Sequence, residues 1–416
     1  MNISQKDKEI IRRLATQYAE IASLDIHKET IQNWKRLNSL KPVKPMVLID
    51  QIPWHEMNIN NELTLQCDNS FCRDLENKLR KTIYKWRHFP CDMVVMPYIE
   101  IPKAIDIPGY GIFTVYKDEL DNAIHENAQT HLFEDQLPDE EALDKVKCPV
   151  ISHNEKETAS REAVAKELFG DIIPVKMVGT APSFRLWDEL TFFRGVTPIL
   201  YDFADRPELI HATMDKFTNI KIDILKQCER LNIFEKDALT MHCSHTFTDE
   251  LPQKGFDGVH VNGTDCWAYG MAQIFSSCSP DMFDEFEIEY AKKYYEHCGL
   301  VVYGCCEPLH DKVHLIRKMK NIRKISTSPW SDVYQMAKNI GSDYVLHKKP
   351  SPSFVAGSSV DEASIRKEIS DTLKACTEYG TPCEFTLKDI TTVEKQPERL
   401  TRWAQITYEE IEKWTK

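Results

Sequence analysis

Glycine is scarce in this chain, at 14 of 416 residues. No Gly-x-Gly-x-x-Gly follows a first strand-like run and no Walker loop occurs, which speaks against a dinucleotide or nucleotide phosphate cradle. Excess positive charge is missing as well. Against 52 Lys and Arg stand 65 Asp and Glu, a net charge of −13. Nucleic acid and anionic membrane surfaces need a positive footprint, so neither is the expected partner. The local basic run Arg317-Lys318-Met319-Lys320 reads as a solvated helix face. There is no stretch of about 18 apolar residues for a membrane span, and Met1 to Lys6 lacks the apolar core of a signal peptide. A cytoplasmic setting is therefore expected. Apart from a β-α alternation, the chain has no internal repeat and no low-complexity tract.

What is present begins with thirteen cysteines, an odd number scattered along the chain. Without a signal segment, that pattern implies reduced thiols: some packed as small hydrophobes, a few reactive or metal-bound. Hydrophobic residues make up 42%, enough for a substantial core. The first forty residues read as helical, because Ile11, Leu14, Tyr18 and Ile21 recur at spacings of three and four.

From Pro45 onward, short apolar runs suited to buried parallel strands alternate with helices. Eight are recognisable: 46–50, 92–96, 175–179, 238–242, 300–303, 322–326, 344–347 and 383–387. Helix signals lie between them. Pro207 opens one periodic face, Ser279-Pro280 supplies an N-cap and first helical residue, and Asp361 to Tyr379 ends at Gly380. This order predicts an α/β fold, a (β/α)8 TIM barrel over 45–416 with an N-terminal helical extension over 1–44. Two insertions are expected, about 105–157, a candidate lid or oligomer contact compatible with a homodimer, and about 250–270.

In such a barrel, chemistry gathers where strands hand over to loops. The densest stretch follows the fifth run: Tyr303-Gly304-Cys305-Cys306-Glu307-Pro308-Leu309-His310. Thiolate, carboxylate and imidazole are zinc ligands, so Cys305, Cys306 and Glu307, with His242 and His310, are the candidate metal set. Adjacent strand residues point to opposite faces, so both cysteines share one ion only if the strand has ended or bulged at Gly304. His55, Glu100 and Lys388 are candidates for handling protons. Trp54, Tyr98, Trp330 and Lys349 are candidates for holding substrate. For the tryptophans, a place in the core is the commoner explanation, and for His242 a satisfied core histidine.

The order of segments from Pro45 onward resembles the uroporphyrinogen decarboxylase superfamily, whose members are single (β/α)8 barrels. The anchors are Gln273 to Phe283, the helix around Arg206 to Asn232, Pro174 to Gly195, and Gln396-Pro397-Glu398-Arg399-Leu400. The arginines with which the true decarboxylases bind substrate carboxylates are missing between Pro45 and Trp54, so porphyrinogen chemistry is not expected. The superfamily also holds zinc-dependent, cobamide-linked methyltransferases with "H-x-C" on strand five and a cysteine on strand eight. Here the fifth strand offers Tyr303-Gly304-Cys305, and Lys388 stands in the place of the strand-eight cysteine, with Cys383 nearby but offset. The resemblance implies demethylation of a small methylated compound at a zinc site. No "D-x-H-x-x-G" segment occurs, so the cobamide is expected on a separate corrinoid protein. The competing readings are a metal-free decarboxylase or lyase of a small carboxylic acid, using Lys348, Lys349 and Lys388, and a barrel subunit without catalysis.

Overall fold

The computed structural model describes residues 3–117 and 132–414. Its centre is one seven-stranded parallel sheet. The strands are β1 (Met46–Ile49), β2 (Ser183–Phe184), β3 (Trp267–Gly270), β4 (Leu300–Tyr303), β5 (Ile322–Thr327), β6 (Val345–Lys348) and β7 (Cys383–Leu387). Their order across the sheet is β1-β7-β6-β5-β4-β3-β2, parallel throughout. Met46–Ile49 and Leu300–Tyr303 are buried at every position, because helices cover one face and packed side chains the other.

The sheet curls. β4 and β7 are three steps apart in the order, about 14 Å along a flat sheet. Yet Lys388 Nζ, just beyond β7, lies 3.1 Å from Cys305 Sγ, just beyond β4. Lys324 of β5 likewise reaches Glu384 of β7 at 2.9 Å across the inner face, and both side chains are fully buried. Among the described residues, no ladder joins β1 to β2.

Three of the expected strands differ from this arrangement. Segment 92–96 forms no strand; the Asp92 amide donates to the Val47 carbonyl, but its carboxylate then takes the Val47 amide, so a side chain replaces the next rung. Val175–Val178 is a strand, but it pairs with Ile99–Pro102 in a separate two-stranded sheet. Segment 238–242 is no parallel strand either. Thr240–Met241 and Ser244–His245 form a tight antiparallel hairpin with His242 and Cys243 at its tip, both at positive φ. The strand that precedes Leu300–Tyr303 in the sheet is instead Trp267–Gly270 (β3), inside the stretch expected to be an insertion.

Local signals fare better. Ser279 caps the helix opened by Pro280, Asp361 caps Glu362–Tyr379, and Gly380 ends it in the left-handed conformation. The N-terminal helices, Gln5–Ala22 and Ile26–Asn38, pack onto the sheet layer: Trp34 Nε1 donates to the Asp92 carbonyl and Asn38 Nδ2 to the His245 carbonyl. In the region about 105–157, residues 118–131 lie outside the described residues. Its acidic stretch is tied down where Asp135 meets the buried Arg194 guanidinium at 2.9 Å. No described helix is long and apolar enough to cross a membrane.

Candidate active site: a thiolate–ammonium centre

β4 ends at Tyr303, and Gly304 takes φ +90°, so the chain leaves the strand before the two cysteines. A side chain there would be strained in conformation and would also meet Leu309 Cδ1 at 2.5 Å. Gly304→Ala is therefore expected to destabilise the fold by about 1–2 kcal/mol, read from urea unfolding.

The turn brings Cys305 and Cys306 together, with their sulfurs 3.5 Å apart. Cys305 is 5% exposed. Its thiol is held well below the ordinary range, first by hydrogen bonding from Cys306, then by His242 and the charge of Lys349, against the opposing effect of burial. Cys306 is shifted the other way by the same bond: it keeps its proton, lying between Cys305 and Asp389 Oδ2, which is 3.5 Å away. Lys388, 2% exposed, completes the centre with its ammonium 3.1 Å from Cys305 Sγ and 2.9 Å from Asp389. Burial alone would lower the Lys388 pKa; the Cys305 thiolate and Asp389 more than offset it and raise it.

His242 reaches Cys305 from the hairpin tip and stacks on Tyr269 of β3, with ring centroids 5.7 Å apart. Burial, reinforced by Lys349, lowers its pKa to about 4, so the ring is neutral at physiological pH. It acts on the thiolate as a dipole and not as an imidazolium. Inner-face bonds hold the hairpin: Ser244 Oγ donates to Glu384 Oε1 and accepts from Lys324 Nζ, and Thr386 Oγ1 donates to the Cys243 carbonyl.

The other candidate residues lie elsewhere. Glu307 is buried, and its two oxygens accept the amides of Ala272 and Cys305; it ties two loops together. The His310 carbonyl accepts from Asn339 of the helix Val333–Ile340, and its Nδ1 is buried without a partner. His55 is half-exposed beside Glu56 at 3.7 Å. Trp54 packs against Tyr84 with Lys81 over its ring, and Trp330 is 77% exposed. Tyr98 and Glu100 line a separate cavity of about 180 Å³ at the base of the hairpin, with Asp50, Lys85 and His245. Glu100 pairs there with Lys78 at 3.4 Å. Lys349 belongs with the thiolate. Cys243 and Asp389 also belong to this region, though no motif marks them.

Zinc does not fit this donor set. Among the described residues, no group of three or more His, Cys, Asp or Glu side chains is arranged to hold a metal ion. Glu307 is spent on backbone amides, and the strand-eight cysteine of the resemblance is replaced by the Lys388 ammonium. A lysine within hydrogen-bond reach of the sulfur supplies a positive charge where a dication would need a donor.

Fold and site together define an α/β protein with a stabilised thiolate at the C-terminal edge of a curled parallel sheet. No family model matches the chain, and no curated protein matches it. Among solved structures it is similar to a methyltransferase from Methanosarcina mazei, at 12% sequence identity and a TM-score of 0.48, over 91% of this chain and 99% of that one. An overlap of that size transfers neither residues nor activity.

Proposed function

We propose that this chain is a group-transfer enzyme built on a (β/α)8-type barrel, with the Cys305 thiolate as its nucleophile and a methyl group of a small O-, S- or N-methyl compound as the group transferred. The observation that carries the nucleophile is the Lys388 ammonium 3.1 Å from a sulfur that also receives Cys306 and faces His242. The methyl cargo rests on the sequence resemblance. In the proposed step the sulfur lone pair forms the S–C bond, and the bond from the methyl carbon to its O, S or N breaks. The displaced group leaves with that bonding pair and is protonated from water. Lys388 holds the sulfur charged before the step; Cys306 holds its proton close by. A separate corrinoid protein is the acceptor that the resemblance implies, and it is part of the proposal.

Alkylation with iodoacetamide, mapped by peptide mass spectrometry, tests the nucleophile. Cys305 is expected to react at a rate nearly independent of pH between about 6 and 8, because a thiol with a lowered pKa is already ionised there. Buried cysteines with raised pKa, such as Cys228 at about 11, should gain about tenfold per pH unit or stay unlabelled. Adding a chelator should change nothing. A Cys305 rate that climbs with pH like an ordinary thiol would overturn the reading.

A further inference from the structure

Beside the thiolate lies a buried donor with nothing to donate to. Lys349 is 2% exposed and its Nζ has no hydrogen-bond partner. An orphaned buried donor costs about 1–3 kcal/mol, and native proteins leave few of them. An ammonium left in that state implies an acceptor that belongs there.

The other lysines on this side of the sheet are already engaged. Lys324 pairs with Glu384 at 2.9 Å, Lys348 with Glu368 at 3.0 Å, and Lys388 with Cys305 and Asp389. Burial lowers the Lys349 pKa, with the Cys305 charge opposing it; the amine lies close enough to act on Cys305 and His242 but has no acceptor of its own. The missing partner must accept only, carry negative charge and be small. A carboxylate meets these conditions, and its bond to an ammonium is charge-assisted.

We propose that Lys349 forms a carboxylate subsite, so that the substrate is a small carboxylic acid bearing its reactive carbon next to Cys305 Sγ. This rests on the thiolate reading above and adds the substrate class to it. The subsite orients the electrophilic carbon, since fixing one end of a small molecule limits where the other can lie.

Iodoacetate and iodoacetamide separate the two claims. Both put the same carbon on sulfur and release iodide; they differ only in carboxylate against amide. The readout is the ratio of their rates at Cys305, divided by the same ratio for free cysteine measured in parallel. The expected value is at least about tenfold in favour of iodoacetate, the worth of one charge-assisted hydrogen bond. Lys349→Met should return the ratio to that of free cysteine. The ratio is used because losing Lys349 also weakens the thiolate and slows both reagents together. Lys349→Arg should retain part of the preference. Should Lys349→Met fail to fold, wild-type protection still decides: acetate should slow iodoacetamide at Cys305, and an absence of protection overturns the subsite. Labelling by neither reagent overturns the thiolate reading itself. Labelling without preference overturns only the carboxylate subsite, and a preference that survives Lys349→Met overturns its assignment to Lys349.

Discussion

Lys388→Met is expected to move the pH midpoint of Cys305 alkylation upward by about two units, the usual effect of removing an opposite charge within 4–6 Å. The sign follows from the acid involved. A thiol reacts as its anion, and the Lys388 ammonium at 3.1 Å favours that anion. Without the ammonium the proton binds more tightly, so the reactive form is lost at a higher pH as pH falls. Measured below both midpoints, the rate should drop about 100-fold; one unit of pKa is one factor of ten. Lys388→Arg keeps the charge and should recover most of the rate, although the planar guanidinium seats differently from a compact ammonium. A variant profile that overlays the wild type would show that Cys306, His242 and Lys349 hold the thiolate without Lys388. Any methyl transfer through Cys305 should fall in parallel with alkylation.

The second large effect is on stability. Lys324 and Glu384 form an ion pair with both side chains fully buried, and Ser244 bridges it. Glu384→Gln leaves an ammonium stranded in the interior. Breaking a buried pair from one side destabilises by about 3–5 kcal/mol, measurable as a shift of the urea midpoint. Replacing both residues, Lys324→Met with Glu384→Leu, removes the stranded charge and should restore most of that loss. The double variant separates stability from function. Ser244 loses both of its side-chain partners, and the hairpin tip must then hold His242 and Cys243 at positive φ with less support. Such backbone strain persists only where surrounding contacts over-determine it. We expect the double variant to be folded, with the Cys305 midpoint raised. A Cys305 profile unchanged in a stable double variant would mean that the hairpin does not position His242 for the thiolate.

Parts of this molecule were legible along the chain because their causes are local. A serine before a proline, an aspartate at a helix start and a glycine after its end act within one turn, and 279–280, 361 and 380 behave as their types require. The runs at 46–49, 300–303, 322–327, 345–348 and 383–387 are strands because the sheet buries them on both faces. The hairpin at 240–245 was hidden for the opposite reason. Tight two-residue turns usually announce themselves with Asn-Gly or Asp-Gly, and here His242-Cys243 take that shape under pressure from tertiary contacts. Trp267–Gly270 likewise lacks the run of β-branched residues by which a strand is recognised, and it owes its place to β2 and β4 on either side.

Sequence alone determined five strands of the sheet, the helix caps between them and the presence of two adjacent thiols beyond the fifth apolar run. Tertiary structure decided what those thiols are. A sulfur's charge depends on which cations and dipoles stand within a few ångströms, and residues 242, 349 and 388 reach position 305 only because the sheet curls. Glu307 is taken up by the amides of Ala272 and Cys305, so the site is assembled around an ammonium.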